Sequence, residues 1–380
     1  MTSSRTAPAV LYVVGVDEVG YGPNLGPFVV GASCWRVPAP SRVDCERVRA
    51  AKYCEQTTLF DLREPRDRDD DLFVDATVDR LNRALEPVAA LKGDFPLVDS
   101  KRLYASKSLA ALERVFFIAA AILDARPENF EDALRLVDDR ALKRPEFAPP
   151  WDATHTLTLP ADPKTRDPKR PMESAIENTR RIMAREKIEL VNLRARRVHP
   201  SEFNRLLDRL GLKSEIDADA TFGLVADALE DALRRRPIRD DENVFAVALC
   251  DKLGGRDRYA DALARRFRGA DVRVVKESRR LSAYRLDLKR FGDARRDLEI
   301  EFRFQAKGEA NAPTALASVC AKYLREASMI LFNDFWRRAT DDPNLRPTAG
   351  YPGDARRFAR DVENARNALG IRLDAFWRKK

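Results

Sequence analysis

Val14-Gly15-Val16-Asp17-Glu18-Val19-Gly20-Tyr21-Gly22-Pro23 is the stretch on which the fold turns. It continues an apolar run from Leu11 that reads as a buried strand, and it delivers two adjacent carboxylates into a glycine-rich turn. Neighbouring strand residues point to opposite faces, so one acid faces a site directly while the other reaches around the edge. Two acids beside a strand bound for the core are costly unless positive charge meets them, and a divalent metal ion is the expected counter-charge. The chain has 16 glycines in 380 residues, yet Gly15, Gly20, Gly22, Gly26 and Gly31 all fall here. Glycine serves where backbone turns tightly or comes close to a ligand.

Outward from that stretch, 380 residues can bury a large core, as one enlarged domain or two ordinary ones. Hydrophobic residues at 44% and charged residues at 34% describe a globular protein with a dense charged surface. A net charge of +8 and a pI near 9.3 point to an anionic partner such as nucleic acid, or to an arginine-rich genome. The five cysteines (Cys34, Cys45, Cys54, Cys250, Cys320) show no C-x-x-C spacing and read as thiols of a reducing, cytoplasmic compartment. Ala9–Val16 is too short for a membrane span and lacks the flanks of a signal peptide, so no membrane partner is expected. The only histidines are His155 and His199, which argues against a histidine-dependent triad or a histidine-rich zinc site. Hydrolysis in this chain would rest on carboxylates and metal.

Strand patterns appear at 11–19, 28–37, 244–250, 271–275 and 298–306. Val244–Cys250 is apolar throughout and reads as a central strand. In the last run Ile300, Phe302 and Phe304 alternate with Glu299, Glu301, Arg303 and Gln305, the pattern of a half-exposed, antiparallel strand. Helical patterns lie at 107–123, 173–186, 201–210, 221–236, 313–336 and 355–369, so an α/β sheet is expected. Residues 38–93, with the charge run 66–71, and 125–186, with its prolines from Pro145 to Pro171, read as insertions on the sheet rim. The acidic run is the ordinary composition of a solvated loop.

Further acids stand at strand ends. Asp251 ends the apolar strand 244–250 and is followed by Gly254-Gly255-Arg256-Asp257-Arg258. Sites in α/β sheets collect at such carboxyl ends. Glu309 follows the strand 298–306 and precedes a helix starting near Pro313, where a carboxylate is favoured in its ionised form. A single acid at a strand end is usually a cap or turn residue; three such places, each with glycine nearby, point to a site.

These segments resemble the type 2 ribonucleases H, ribonuclease HII and its HIII branch. The likeness rests on residues 15–23, Asp99-Ser100-Lys101, the strand ending at Asp251, Lys307-Gly308-Glu309, Ala317-Ser318-Val319-Cys320-Ala321-Lys322 and Gly350-Tyr351-Pro352, in the family's order. It covers roughly 11–37, 94–123 and 187–360 and leaves the insertions unmatched. The resemblance implies an RNase H-like mixed five-stranded sheet flanked by helices, in one enlarged catalytic domain over 1–380. It further implies a metal-dependent endonuclease that hydrolyses the RNA strand of RNA–DNA hybrids with two Mg²⁺ or Mn²⁺ ions. The four catalytic, metal-binding carboxylates would be Asp17, Glu18, Asp251 and Glu309, with Asp17 bridging both ions. Gly20, Tyr21, Gly22, Ser100, Lys101, Lys307 and Tyr351 would contact substrate, Lys101 and Lys307 through phosphates. Arg256, Arg258, Arg279 and Arg280 could extend that track, although exposed arginine is more often solvated surface. Small residues of the helix 315–322 are expected to pack rather than catalyse.

The pattern departs from the family at one position. Ribonuclease HII carries arginine where this chain has Tyr21, and tyrosine cannot make a bidentate phosphate contact. The HIII branch lacks that arginine too, but adds an N-terminal substrate-binding domain, whereas ten residues precede the first strand here. Cleavage of continuous RNA in hybrids, with weak incision at a single embedded ribonucleotide, is therefore expected. The alternatives are a non-cleaving nucleic-acid-binding relative and a structure-specific nuclease with another substrate.

Overall fold

The apolar runs around Val14 and Val247 become neighbouring parallel strands at the centre of a seven-stranded mixed sheet. The computed structural model describes residues 10–55, 68–138, 142, 144–153, 156–166, 171–236, 244–293, 295–306 and 311–379. Its strands are β1 (Val10–Val19), β2 (Phe28–Val37), β3 (Glu189–Val198), β4 (Val244–Cys250), β5 (Asp271–Glu277), β6 (Leu281–Phe291) and β7 (Arg296–Gln305). They lie in the order β3-β2-β1-β4-β7-β6-β5. β4 runs parallel to β1 and to β7, and the remaining pairings are antiparallel. The α/β class is as expected, but the sheet has seven strands rather than five.

The two strands absent from the expectation are β3 and β6. β3 carries Arg194, Arg196 and Arg197, which break any apolar signal, yet all three are buried. Each is neutralised in place: Arg194 by Asp231 at 2.9 Å, Arg196 by Glu202 at 3.1 Å and Arg197 by Asp152 at 2.8 Å. Buried guanidinium is tolerated only with such partners.

The helices are α1 (Arg42–Glu55), α2 (Arg68–Ala89), α3 (Ser100–Leu103), α4 (Ala110–Ile122), α5 (Phe130–Leu136), α6 (Pro150–Ala153) and α7 (Met172–Glu186). After β3 come α8 (Pro200–Leu210), α9 (Lys213–Arg235), α10 (Ala260–Arg266), α11 (Ala312–Ala339), α12 (Pro352–Asp361), α13 (Glu363–Ala368) and α14 (Leu373–Phe376). Alternation along β1 feeds both faces of the sheet. Leu11 and Val13 join a core with α2, α4, α7 and α11, built on Leu81, Leu85, Phe116 and Leu324. Tyr12, Val14 and Val16 join a second core with α8, α9 and α10, built on Phe203, Phe222, Val225 and Leu263. A third cluster gathers Trp151, Phe332, Trp336, Phe358 and Phe376 around the end of α11.

Helix α11 sits unusually close to β1. A Cβ on Gly15 would fall 2.1 Å from the Pro313 carbonyl carbon, so only glycine lets the helix N-terminus seat there. Ser33 Oγ donates to Pro313 O at 2.8 Å and fixes the same contact. The small residues Ala315, Ala317 and Ala321 are fully buried in it, the packing role expected of them.

Two expectations are corrected. β7 pairs parallel with β4 and antiparallel with β6, so it is not purely antiparallel. Nor is it half-exposed, since Glu301 is wholly buried between Arg285 Nε at 2.7 Å and Arg303 Nε at 2.5 Å. Arg303 in turn pairs with Asp75 of α2. Within 38–93, α2 puts Val74, Leu81, Leu85 and Val88 into the first core, so this part of the stretch packs on the sheet instead of hanging from its rim. His155, Lys307 and Glu309 lie outside the described residues. Among the described residues no helix is long and apolar enough to cross a membrane.

Candidate active site

Parallel pairing of β1, β4 and β7 brings three strand carboxyl ends to one edge of the sheet. Val16 registers against Cys250, and Cys250 against Phe304. Asp17 and Glu18 on β1 and Asp251 just past β4 therefore meet at that edge, with Asp17 buried and the other two half-buried. The same edge is bordered by Gln305, the last residue of β7, and by Ala312, the first of α11.

A fourth acid stands with them. Asp217, in the first turns of α9, is completely buried, and Thr221 Oγ1 donates to its Oδ1 at 3.5 Å. Burial first, then the charge of Asp17 and that of Asp251, push Asp217 up to about 7, while Thr221 and Arg256 pull it down. Burial, with the charges of Asp217 and Asp251, pushes Glu18 up to about 8, and Lys101 opposes this. Cys250, beneath the cluster, is driven well above its ordinary value by burial and by the same four acids. The site is an all-oxygen cluster of acids, with the charges of Lys101 and Arg256 acting on it. Hard divalent cations prefer such donors, so the residues present fit Mg²⁺ or Mn²⁺ in chemical type. Among the described residues no group of three or more ligating side chains closes into a metal cage.

The glycine turn is clamped from behind. Gly20 has φ +84°, and a Cβ there would meet Pro27 O at 2.9 Å. Buried Arg378 donates through Nη2 to Gly20 O at 2.7 Å and also reaches Pro23 O. Arg325 donates to Pro27 O at 3.1 Å and to Ala349 O at 2.9 Å. Gly350 O accepts from the amides of Asn24 and Leu25, and Asn24 exchanges two hydrogen bonds with the backbone of Arg378. Burial, with Arg325 nearby, pulls Arg378 well below its ordinary value.

The other expected positions separate by environment. Tyr21 is half-buried, edge-on to Phe28 at 6.2 Å, and burial with Asp217 and Glu18 raises its hydroxyl. Gly22 is exposed with open space around it. Lys101 is exposed beside Glu18, at the start of α3, where Asp99 Oδ1 accepts its amide at 2.8 Å. Ser100 is buried, and its hydroxyl accepts from that of Ser318 at 2.9 Å, which joins α3 to α11. Tyr351 is 57% exposed, so it is not a core residue. Arg256 is half-buried against Glu215, whereas Arg258, Arg279 and Arg280 are exposed.

Comparison with solved structures gives remote neighbours. They are ribonucleases H. Bst-RNase HIII in complex with Mn²⁺ is 14% identical over 97% of this chain and 66% of that one, at a TM-score of 0.37. A mutant form of Bst-RNase HIII is 14% identical over 100% of this chain and 72% of that one, at 0.38. The ribonuclease H2 from Pyrococcus horikoshii OT3 is 13% identical over 96% and 92%, at 0.37. This chain thus spans about two-thirds of the length of the Mn²⁺-bound RNase HIII. No protein-family model and no curated protein matches it.

Asp217 is the residue that sequence reasoning missed. The expected helix began at Thr221, eight residues after the true start at Lys213, which left Asp217 in an unassigned segment. Its signal was present in Ile216-Asp217-Ala218-Asp219-Ala220-Thr221, where an acid sits among small and apolar residues one turn before a threonine. A helix apolar all round is buried, and an acid inside it needs a reason.

Proposed function

We propose that this protein is a metal-dependent endonuclease that hydrolyses the RNA strand of RNA–DNA hybrids and leaves 5′-phosphomonoesters. The observation that supports this most is the mutual field of Asp17, Glu18, Asp217 and Asp251 at the carboxyl edge of parallel strands, with Lys101 beside it. Acids that hold one another's protons at neutral pH are poised for a cation, and a basic chain is suited to a polyanion.

In this reading Asp17, Glu18, Asp251 and Glu309 hold two Mg²⁺ or Mn²⁺ ions, and Asp217 completes the anionic surround. When bound, such ions supply Lewis acidity to the phosphodiester and water ionised near neutral pH. The chain's own part is to orient and exclude. Lys101, with Lys307, meets substrate phosphates, and the clamped turn at Gly20 and Gly22 lets backbone approach the cleaved strand. Tyr21 and exposed Tyr351 offer rings to stack on sugars or bases. The activity belongs to one enlarged catalytic domain over 1–380, with 38–93 and 125–186 as insertions. It belongs to the cytoplasm, where the buried thiols Cys34, Cys250 and Cys320 stay reduced.

The test is cleavage of labelled RNA–DNA hybrid, single-ribonucleotide duplex, DNA duplex and RNA duplex with Mg²⁺ or Mn²⁺. The continuous hybrid should be cut, and the single-ribonucleotide duplex cut less. Asp17→Asn should lower the rate by at least about 10²-fold. Tight hybrid binding with no metal-dependent product would make the chain a binding protein instead.

A further inference from the structure

On the far side of α9 from Asp217, helices α8, α9 and α10 border an open groove of about 720 Å³. Seven arginines and three carboxylates line it, an imbalance that the internal ion pairs do not remove. Glu202 serves Arg144 at 3.2 Å and Arg196 at 3.1 Å, and Asp219 serves Arg196 at 3.2 Å. Glu215 serves Arg265 at 2.7 Å and also Arg256. Arg205, Arg209, Arg266 and Arg268 have no carboxylate partner among the described residues, and all but Arg266 are exposed.

Like charges gathered in one groove repel, and the cheapest relief is an external anion. The identity of the cations narrows the anion. Guanidinium forks match phosphate oxygens in pairs, and every lining cation here is arginine. The four unmatched groups come from α8, from α10 and from the turn after it, so they line a trough rather than ring a single point. A string of phosphates fits that layout better than one phosphate does. The groove is also joined to the acid cluster. Glu215 accepts from Arg265 on the groove wall and from Arg256, whose charge acts on Asp217 and Tyr21.

We infer that this groove is a second nucleic-acid site, which holds the phosphodiester backbone of a strand beyond the cleavage point. It rests on the nuclease reading for the identity of the polymer, and on the groove alone for its anionic character. The groove extends the bound length of substrate and leaves the chemical step to the acids.

The experiment measures fluorescence anisotropy of the full chain with labelled hybrids in EDTA, across a salt series. It compares a long hybrid of about 25 base pairs with a short one of about 8, whose fewer phosphates span only the acid cluster. In the variant R205Q/R209Q/R266Q/R268Q the slope of log K against log salt should fall by about two to four, since each lost phosphate contact removes roughly 0.7–0.9. Affinity for the long hybrid should drop by at least about tenfold, while the short hybrid binds as it does to the wild type and, in a separate assay with Mg²⁺ in place of EDTA, is cut at the wild-type rate. Arginine-to-lysine changes at the same four positions should keep most of the slope. An unchanged slope and affinity on the long hybrid would overturn the inference. So would binding of polyglutamate that depends on the four arginines while hybrid binding does not. If the quadruple variant fails to fold, R209E and R268E, at exposed positions, carry the same comparison. A wild type that binds the long hybrid through these arginines but never cuts it leaves the groove standing and removes the nuclease reading.

Discussion

Glu18 and Asp217 share a field that neither would meet in an unfolded chain. Their folded values of about 8 and about 7 stand above ordinary values of 4.5 and 3.8. Between about pH 4 and pH 8 the folded protein therefore holds protons that the unfolded chain has released, so metal-free stability falls as pH rises through that window. Thermal unfolding in EDTA should show a lower Tm at about pH 8.5 than at about pH 5, and Glu18→Gln or Asp217→Asn should flatten that slope. A wild-type profile that these variants leave unchanged would count against the clustered acids. Filling the site should expel the same protons. Titration with Mg²⁺ at about pH 6.5, in two buffers of different ionisation enthalpy, should report proton release, and Asp217→Asn should reduce it. The charges of both acids reach Tyr21, so Tyr21→Arg brings a guanidinium into their field and supplies the fork that tyrosine lacks. Incision at a single ribonucleotide, relative to continuous hybrid, should rise in that variant. Asp17, Glu18 and Asp251 were legible as acids of one edge because each ends an apolar strand run. Asp217 was not, because a helix turn places it there and the acids it meets come from β1, far upstream, and from the end of β4.

At the scale of elements, the glycines that marked the opening stretch serve unlike ends. Gly15 admits a helix and Gly20 makes a turn; neither needs a ligand to explain it. Gly15→Ala would drive a methyl into the Pro313 backbone, and overpacking of that kind costs about 1–3 kcal/mol or more. Urea unfolding should show the loss, whereas Gly22→Ala, with open space around it, should unfold like the wild type. Strand β3 illustrates the opposite case. Its arginines hid it from any apolar pattern, and only the carboxylates Asp231, Glu202 and Asp152 from other elements make its burial possible.

Over the whole molecule, the sheet is tied to α2 through a charge chain that runs Arg285, Glu301, Arg303, Asp75. Glu301 is the buried middle of it, so Glu301→Gln should lower stability by about 3–5 kcal/mol, read as an earlier urea midpoint. Asp75→Asn, at the partly exposed end, should cost less. Because α2 also supplies Val74, Leu81 and Leu85 to the core, a chain trimmed of α2 should not fold to a soluble protein. The sequence by itself determined the α/β class, five of the seven strands and the acids at strand ends, since alternation, apolar runs and glycine turns are local properties of the chain. The tertiary structure alone decided which acids share a field, that β3 and β6 extend the sheet, and that arginines of α8 and α10 with no carboxylate partner among the described residues line one groove. Those outcomes depend on charges brought together from distant segments, and no local pattern records the partner that makes a buried charge tolerable.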